Sequence, residues 1–422
     1  MKRGFSPEEC LLTLAARIDL EKKNRTMIGT ILQNGAEWPK VMLYAKRFSI
    51  EPLLYRHLGI EEHSRYVPDD VLLALKKSYQ LQAMRNMRIQ GCIHQILRAM
   101  NENNIPVILL KGAFLATNLY PDIALRPMND IDLLFRQEDI LNACDLLIAL
   151  GYDPPEPNAH QSQVHEQVSL DFLGEHLPPI VNRKIARIEI HSNIKGRKNQ
   201  TLLSDLIWKK SIEHTTEGYC FRSLHPEHQI LNLCVHLYQH IEIGSFTLYW
   251  FCDIHEMVRR HKESIHWGSL FHCARESGVE NQVKKILGIM QGKWGTIVPD
   301  VCGDGIGLNL FELGDPKKNL RKAQKALVKT YYRKMKMVSS INGWGNRIVF
   351  VWKSIFPSRG NMIHRYHPNG SLSFFLYYIL HPLVLIKRFA IGLLYNISPE
   401  GISMVNHLKR ISWTLIHDHD TR

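Results

Sequence analysis

Leu110-Lys111-Gly112, followed downstream by Arg126-Pro127-Met128-Asn129-Asp130-Ile131-Asp132-Leu133-Leu134-Phe135, is the stretch from which the fold is read. Asp130 and Asp132 stand at i and i+2, with apolar residues between and after them. That alternation predicts a strand, and period-two geometry puts both carboxylates on one face. Two like charges pointing the same way repel each other. A divalent cation removes the repulsion, so the pair predicts a metal site. Hard oxygen ligands on a strand suit Mg²⁺ shared with substrate phosphates, the arrangement used in two-metal phosphoryl and nucleotidyl transfer. An isolated Asp-x-Asp is most often a turn. Here the neighbouring sequence argues for the strand.

Upstream, residues 105–110 form a short apolar run rich in strand formers, bounded by the polar Asn101-Glu102-Asn103-Asn104. The run ends at Lys111-Gly112. Residues 113–120 then read as a helix stopped by Pro121. A strand, a glycine and a helix N-terminus make an anion-binding corner, because free backbone N–H groups and the helix dipole face the loop. Lys111 adds charge there, and Gly112 allows close backbone approach by a phosphate. Downstream, Arg187-Ile188-Glu189-Ile190-His191 alternates polar and apolar residues. Arg187, Glu189 and His191 therefore share one strand face. Placed beside the aspartates, that strand brings Glu189 into the same cluster. His191 is positioned to orient a carboxylate or to contact substrate.

Leu110-Lys111-Gly112, Arg126, Asp130-Ile131-Asp132 and Glu189 together resemble the nucleotidyltransferase (polymerase β-like) superfamily. More narrowly, they resemble its uncharacterised bacterial nucleotidyltransferase branch. The wider superfamily has Gly-Ser or Gly-Gly in its first motif; Lys111-Gly112-Ala113 is what the narrower branch looks like. The motifs cover residues 105–191. Weaker likeness extends to Leu53-Leu54-Tyr55, to the segment from His236 to His240, and to Asp253-Ile254. The resemblance implies an α+β fold, with a small mixed-sheet nucleotidyltransferase core flanked by N-terminal and C-terminal helical regions. It implies a Mg²⁺-dependent enzyme, with one or two metals, that takes ATP or another NTP as donor. Asp130, Asp132 and Glu189 would then be the catalytic metal ligands. Lys111, Gly112 and Arg126 would hold the triphosphate, with Arg126 neutralising charge on the phosphates or the pyrophosphate leaving group. The acceptor stays open between a small molecule, an RNA 3′ end and a protein side chain. Two other classes are a non-catalytic nucleotide- or RNA-binding module and a membrane-surface scaffold.

A chain of 422 residues allows two to three domains. The pattern divides it into a helical region over 1–101, the mixed core over 102–215 and a second helical region over 216–422. Ser6 is the N-cap candidate of the first helix, with Pro7 at its first position and Glu8-Glu9 in its first turn. Further helices are expected from Trp38-Pro39 to about Phe48, from Val71 to about Asn101, and from about Gln137 to Leu150. Gly151 is the expected terminator of the last of these. The proline-containing residues 153–183 receive no assignment.

Eight scattered cysteines form no Cys-x-x-Cys pair, which points to reduced, mostly buried thiols and away from zinc-ribbon chemistry. His236 and His240 stand at i and i+4 without the placed glutamate of a metalloprotease helix, so a packing or capping role is expected. Asp253-Ile254-His255 is placed to approach them. The first nine residues carry no apolar signal core, so the expected location is cytoplasmic. The net charge of +13 lies almost wholly in the C-terminal part: residues 301–422 hold 18 Lys plus Arg against 6 Asp plus Glu. This basic region suits a polyanion or an anionic membrane surface, or is simply a solvated lysine-rich helix. The apolar residues 374–386 are too few for a membrane span of about 20 residues. A buried or interfacial helix is expected there, with peripheral contact at the inner membrane surface as the membrane-linked alternative.

Overall fold

Ser6 accepts a hydrogen bond from the Glu9 backbone N–H, and the Glu9 carboxylate accepts one from the Ser6 N–H. This reciprocal pair starts α1 (Pro7–Ala15) as the sequence predicts. The computed structural model describes residues 6–152, 180–182, 186–194, 200–216 and 218–299, together with Pro382. After α1 come α2 (Lys22–Gln33), α3 (Trp38–Arg47), α4 (Glu51–Leu58), α5 (Glu61–Ser64) and the long α6 (Asp69–Glu102). The core begins with β1 (Ile108–Leu109), α7 (Lys111–Asn118), a 3₁₀ turn (Ile123–Leu125), β2 (Asp130–Leu134) and α8 (Ile140–Ala149). Gly151 has φ +86°, the left-handed conformation expected just past a helix end. Then follow β3 (Ile180–Asn182), β4 (Ala186–His191), α9 (Gln200–Lys210), β5 (Ile212–Thr216) and β6 (Tyr219–Ser223). Four more helices close the described part: α10 (Pro226–Ile243), α11 (Tyr249–Arg260), α12 (Trp267–Glu276) and α13 (Glu280–Ile289).

The strands form one mixed sheet in the order β3-β4-β2-β1-β6-β5. β1 runs antiparallel to β2 and parallel to β6, while β2 runs parallel to β4. The expected α+β class with flanking helices is therefore what the chain adopts. The expected boundary at 215 falls inside the β5–β6 hairpin, so the sheet continues to Ser223. Gly218, at φ +97°, turns that hairpin. The described residues from 6 to 299 belong to one compact unit. The basic block and the apolar segment over 374–386 lie outside the described residues. Among those described, no helix is long and apolar enough to cross a membrane.

Strand alternation sorts the core into two clusters. Ile131, Leu133 and Phe135 pack with Ile188, Ile190, α8 and the second half of α6. On the other face, Leu134 joins Ile108 and Leu110 in the larger cluster that contains α1, α3, α4, α10 and α11. Asp130 and Asp132 share the face of Leu134, by the same period of two. The free cysteines among the described residues are mostly buried, as expected of reduced thiols.

Two buried histidines and one half-buried histidine give the fold an acid limit. His57, whose Nε2 meets the Arg17 carbonyl at 2.8 Å, His228 and His255 are each lowered to about 4, chiefly because burial disfavours the imidazolium. An unfolded chain protonates these groups near the ordinary histidine value of about 6.5. The unfolded state therefore binds more protons between that value and 4. The stabilisation is complete above pH 6.5 and is lost as pH falls toward 4. Urea midpoints taken at pH 7.5 and pH 5 are expected to fall at the lower pH. Equal midpoints would show that these histidines are not held neutral.

Candidate active site

The site is built at the end of β1. The Leu110 N–H donates to the Asp132 carbonyl at 3.0 Å, continuing the β1–β2 ladder to the first residue before α7. Lys111 then turns the chain with φ +43°, a left-handed conformation uncommon for a residue with a side chain. The turn residue is thus Lys111 and not Gly112. Lys111 is buried, and its Nζ donates to Asp132 Oδ1 at 2.6 Å.

The parallel register of β2 on β4 sets Asp130 opposite Arg187, Asp132 opposite Glu189 and Leu134 opposite His191. Asp132, Glu189 and His191 each present one donor atom, all within 4.8 Å of one another. His191 Nε2 lies 2.8 Å from Asp132 Oδ1, the oxygen that also accepts from Lys111. Glu189 Oε1 accepts from Arg187 Nη2 at 2.9 Å. Asp130 stands outside the tight set, half-buried on the same strand face. The structure thus brings Lys111, Asp132 and Glu189 together, with His191 on the Asp132 carboxylate, one of the two places its strand position offered.

The electrostatics follow from this crowding. Burial works to raise the Asp132 pKa, but Lys111 and His191 overcome it and hold the carboxyl well below the usual range. Burial and the neighbouring Asp132 charge push Asp130 the other way, to about 6. Burial opposes the Lys111 charge, yet Asp132, with Asp130 and Glu189 beyond it, raises its pKa above the ordinary lysine value. Lys111 is therefore a fixed cation among three carboxylates. The donor set fits a divalent ion: two carboxylates and an imidazole converge on one point beside a third carboxylate.

Arg126 is placed behind the corner and not among these groups. It is buried, and its Nε and Nη2 make a bidentate pair with Asp253 of α11, the shortest contact being 2.8 Å. Nη1 donates to the Pro127 carbonyl at 3.3 Å, and the guanidinium lies 5.2 Å from the Tyr249 ring centre. Asp253 also accepts from the Tyr120 hydroxyl at 2.8 Å. Asn86 of α6 donates to the Arg126 carbonyl at 2.8 Å, fixing the backbone. Burial works against the Arg126 charge, but Asp253 outweighs it and raises its pKa further. The absent side chain of Gly112 is what makes room: a Cβ there would run into Arg126 Nη1.

Gly112→Ala is therefore expected to destabilise the protein by about 1–3 kcal/mol, the usual cost of overpacking, since Arg126 is pinned and cannot swing away. Chemical denaturation reads this directly. A variant as stable as the parent would mean that the corner has slack.

Asp253, Tyr120 and Asn86 escape motif reading, because the contacts that join them are far apart in sequence: Tyr120 and Arg126 both reach Asp253 across more than 100 residues, and Asn86 reaches Arg126 across 40. The only signal was the likeness attached to Asp253-Ile254. Asp253 does not serve His236 and His240. Those two lie on α10 with ring centres 4.5 Å apart, each 4.6 Å from the Trp250 ring, a packing role as expected.

A carboxylate pair thus stands on a central strand, with a third carboxylate on the parallel neighbour and a lysine corner at the preceding strand's end. The chain belongs to a family of uncharacterised nucleotidyltransferases, whose profile matches residues 34–293, more than half of its length. No curated protein and no solved structure matches it.

Proposed function

We propose that the protein is a divalent-metal-dependent nucleotidyltransferase that moves a nucleoside monophosphate from an NTP to a hydroxyl acceptor. The observation that carries this reading is the register placing Glu189 against Asp132, with Lys111 on the same carboxylate. Asp130, Asp132 and Glu189 would hold Mg²⁺ or a chemically similar ion. When bound, such an ion supplies positive charge to the phosphate oxygens and to the acceptor oxygen. Lys111 meets the triphosphate with an ammonium already fixed at the cluster. Gly112 and the α7 N-terminus complete the phosphate corner. Arg126 braces that corner from behind, and its positive charge would act on the phosphates from a distance, without direct contact. Glu189 takes the proton as the acceptor oxygen attacks the α-phosphorus. The new oxygen–phosphorus bond forms, the bond to the β-phosphate bridging oxygen breaks, and pyrophosphate leaves. ATP or another NTP would be the donor, the acceptor a small molecule, RNA or protein, the location cytoplasmic, and the basic C-terminal region a contact for a polyanion or a membrane surface. Transfer of label from an α-³²P-NTP to an acceptor pool in the presence of a divalent ion tests it. Label that stays in free nucleotide under every condition contradicts it.

A further inference from the structure

We propose that His191 is itself a metal ligand, and that Asp132, Glu189 and His191 form a mixed oxygen–nitrogen site that prefers a first-row transition cation such as Mn²⁺ over Mg²⁺. The inference rests on the metal-dependent reading above and specifies its ion.

The first argument is geometric. The three donor atoms lie within 4.8 Å of one another, a span that one ion can bridge. His191 Nε2 and Asp132 Oδ1 are 2.8 Å apart. Adjacent ligands around an octahedral ion with bonds of about 2.1 Å are separated by about 3 Å. That contact is a hydrogen bond as it stands; with the shared proton displaced by an ion, the imidazole and the carboxylate stand at the spacing of neighbouring ligands.

The second argument is positional. His191 is two residues from Glu189, so both point to the face that carries Asp132. His191 and Asp132 are 3% and 1% exposed, so solvent does not compete for either donor. Orienting Asp132 does not by itself require the histidine, because Lys111 Nζ already makes a charged hydrogen bond to the same Oδ1 at 2.6 Å.

The third argument is chemical. Mg²⁺ binds through oxygen ligands and retained water, whereas imidazole nitrogen suits transition cations. A buried nitrogen among the donors therefore biases the site toward Mn²⁺. The half-buried Asp130, outside the tight set, leaves a purely oxygen-donating group beside it.

The test is Mn²⁺ titration of the full chain, followed by pulsed electron paramagnetic resonance for nitrogen coupling to the bound ion. Wild-type protein, His191→Gln and His191→Asn are compared, with circular dichroism confirming the fold of each. The expected result is ¹⁴N modulation in the wild type and its loss in both variants. Mn²⁺ affinity should fall at least about tenfold while Mg²⁺ affinity changes by under about threefold, as loss of a nitrogen ligand requires. Mn²⁺ bound by the wild type without ¹⁴N modulation would overturn the ligand assignment and leave metal dependence standing. Modulation that persists in folded variants would also overturn it, by moving the nitrogen to another residue. If both variants fail to fold, the wild-type spectrum of protein with ¹⁵N-labelled histidine decides: an unchanged coupling pattern overturns the proposal. No Mn²⁺ bound at millimolar concentration, with or without a non-hydrolysable NTP analogue, would overturn the metal-dependent reading itself.

Discussion

Asp253→Ala is expected to cost about 3–5 kcal/mol of stability, the penalty for leaving a buried charge without its partner. Asp253 is fully buried and accepts from three groups: Nε and Nη2 of Arg126 and the hydroxyl of Tyr120. Its removal strands a guanidinium that is itself buried and, through Nη1, packed against Gly112. The loss is felt at the phosphate corner as well as in the helical part, because one carboxylate joins α11 to the segment before β2. Tyr120→Phe should cost less, about 1–3 kcal/mol, because it removes one neutral donor and leaves the ion pair intact. Replacing both charged partners, Arg126→Met with Asp253→Leu, should recover much of the lost stability, as apolar replacement of a buried pair commonly does. Urea denaturation of these variants measures all three effects. A cost below about 1 kcal/mol for Asp253→Ala would contradict the bracing role, since it is far under the buried-pair range.

Exchanging Asp130 and Asp132 together for Asn is expected to lower nucleotidyl transfer at least about a thousandfold, because metal binding supplies several kcal/mol of transition-state stabilisation. The substitution keeps size and shape while removing two negative charges from a site whose donors converge within 4.8 Å around Asp132. Asp132 anchors both Lys111 and His191, so a single Asp132→Asn should already weaken NTP binding and turnover. Asp130→Asn alone should act mainly on turnover. The fold should persist at reduced stability: Ile131, Leu133 and Phe135 hold β2 from the opposite face, while buried Lys111 loses its charged partner. Steady-state kinetics with circular dichroism controls make the check. Full activity in the double variant would remove the carboxylates from the mechanism.

Much of this site is legible in the sequence where the interactions are local or periodic. Asp130 and Asp132 share a face because strands alternate, and Glu189 shares one with Arg187 and His191 for the same reason. Ser6 with Glu9 announces α1 within four residues. Gly151 marks the end of α8. The register that sets Asp132 against Glu189 is a tertiary fact, and only the likeness to nucleotidyltransferases anticipated it. Arg126 shows the limit most clearly. Its charge and its place before the strand read as a phosphate contact, yet its partner lies 127 residues away on a helix. No local pattern encodes that pairing. The same holds for the left-handed turn at Lys111: glycine is the residue expected to take such a backbone, but Gly112 is kept for space and its neighbour carries the turn. β6 lies in the region expected to be helical from residue 216, and its pairing with β1 joins segments more than 100 residues apart. Short strands are defined by their partners more than by their own pattern.

The measurement that bears most directly on the central claim is incubation of the purified full chain with each α-³²P-labelled NTP and a divalent ion. Total RNA, protein and small-molecule extract are supplied as separate acceptors. The account predicts covalent label in one of these pools, with release of pyrophosphate and loss of both when the ion is chelated. NTP binding with no label in any pool would contradict it and leave a nucleotide-binding module in place of an enzyme.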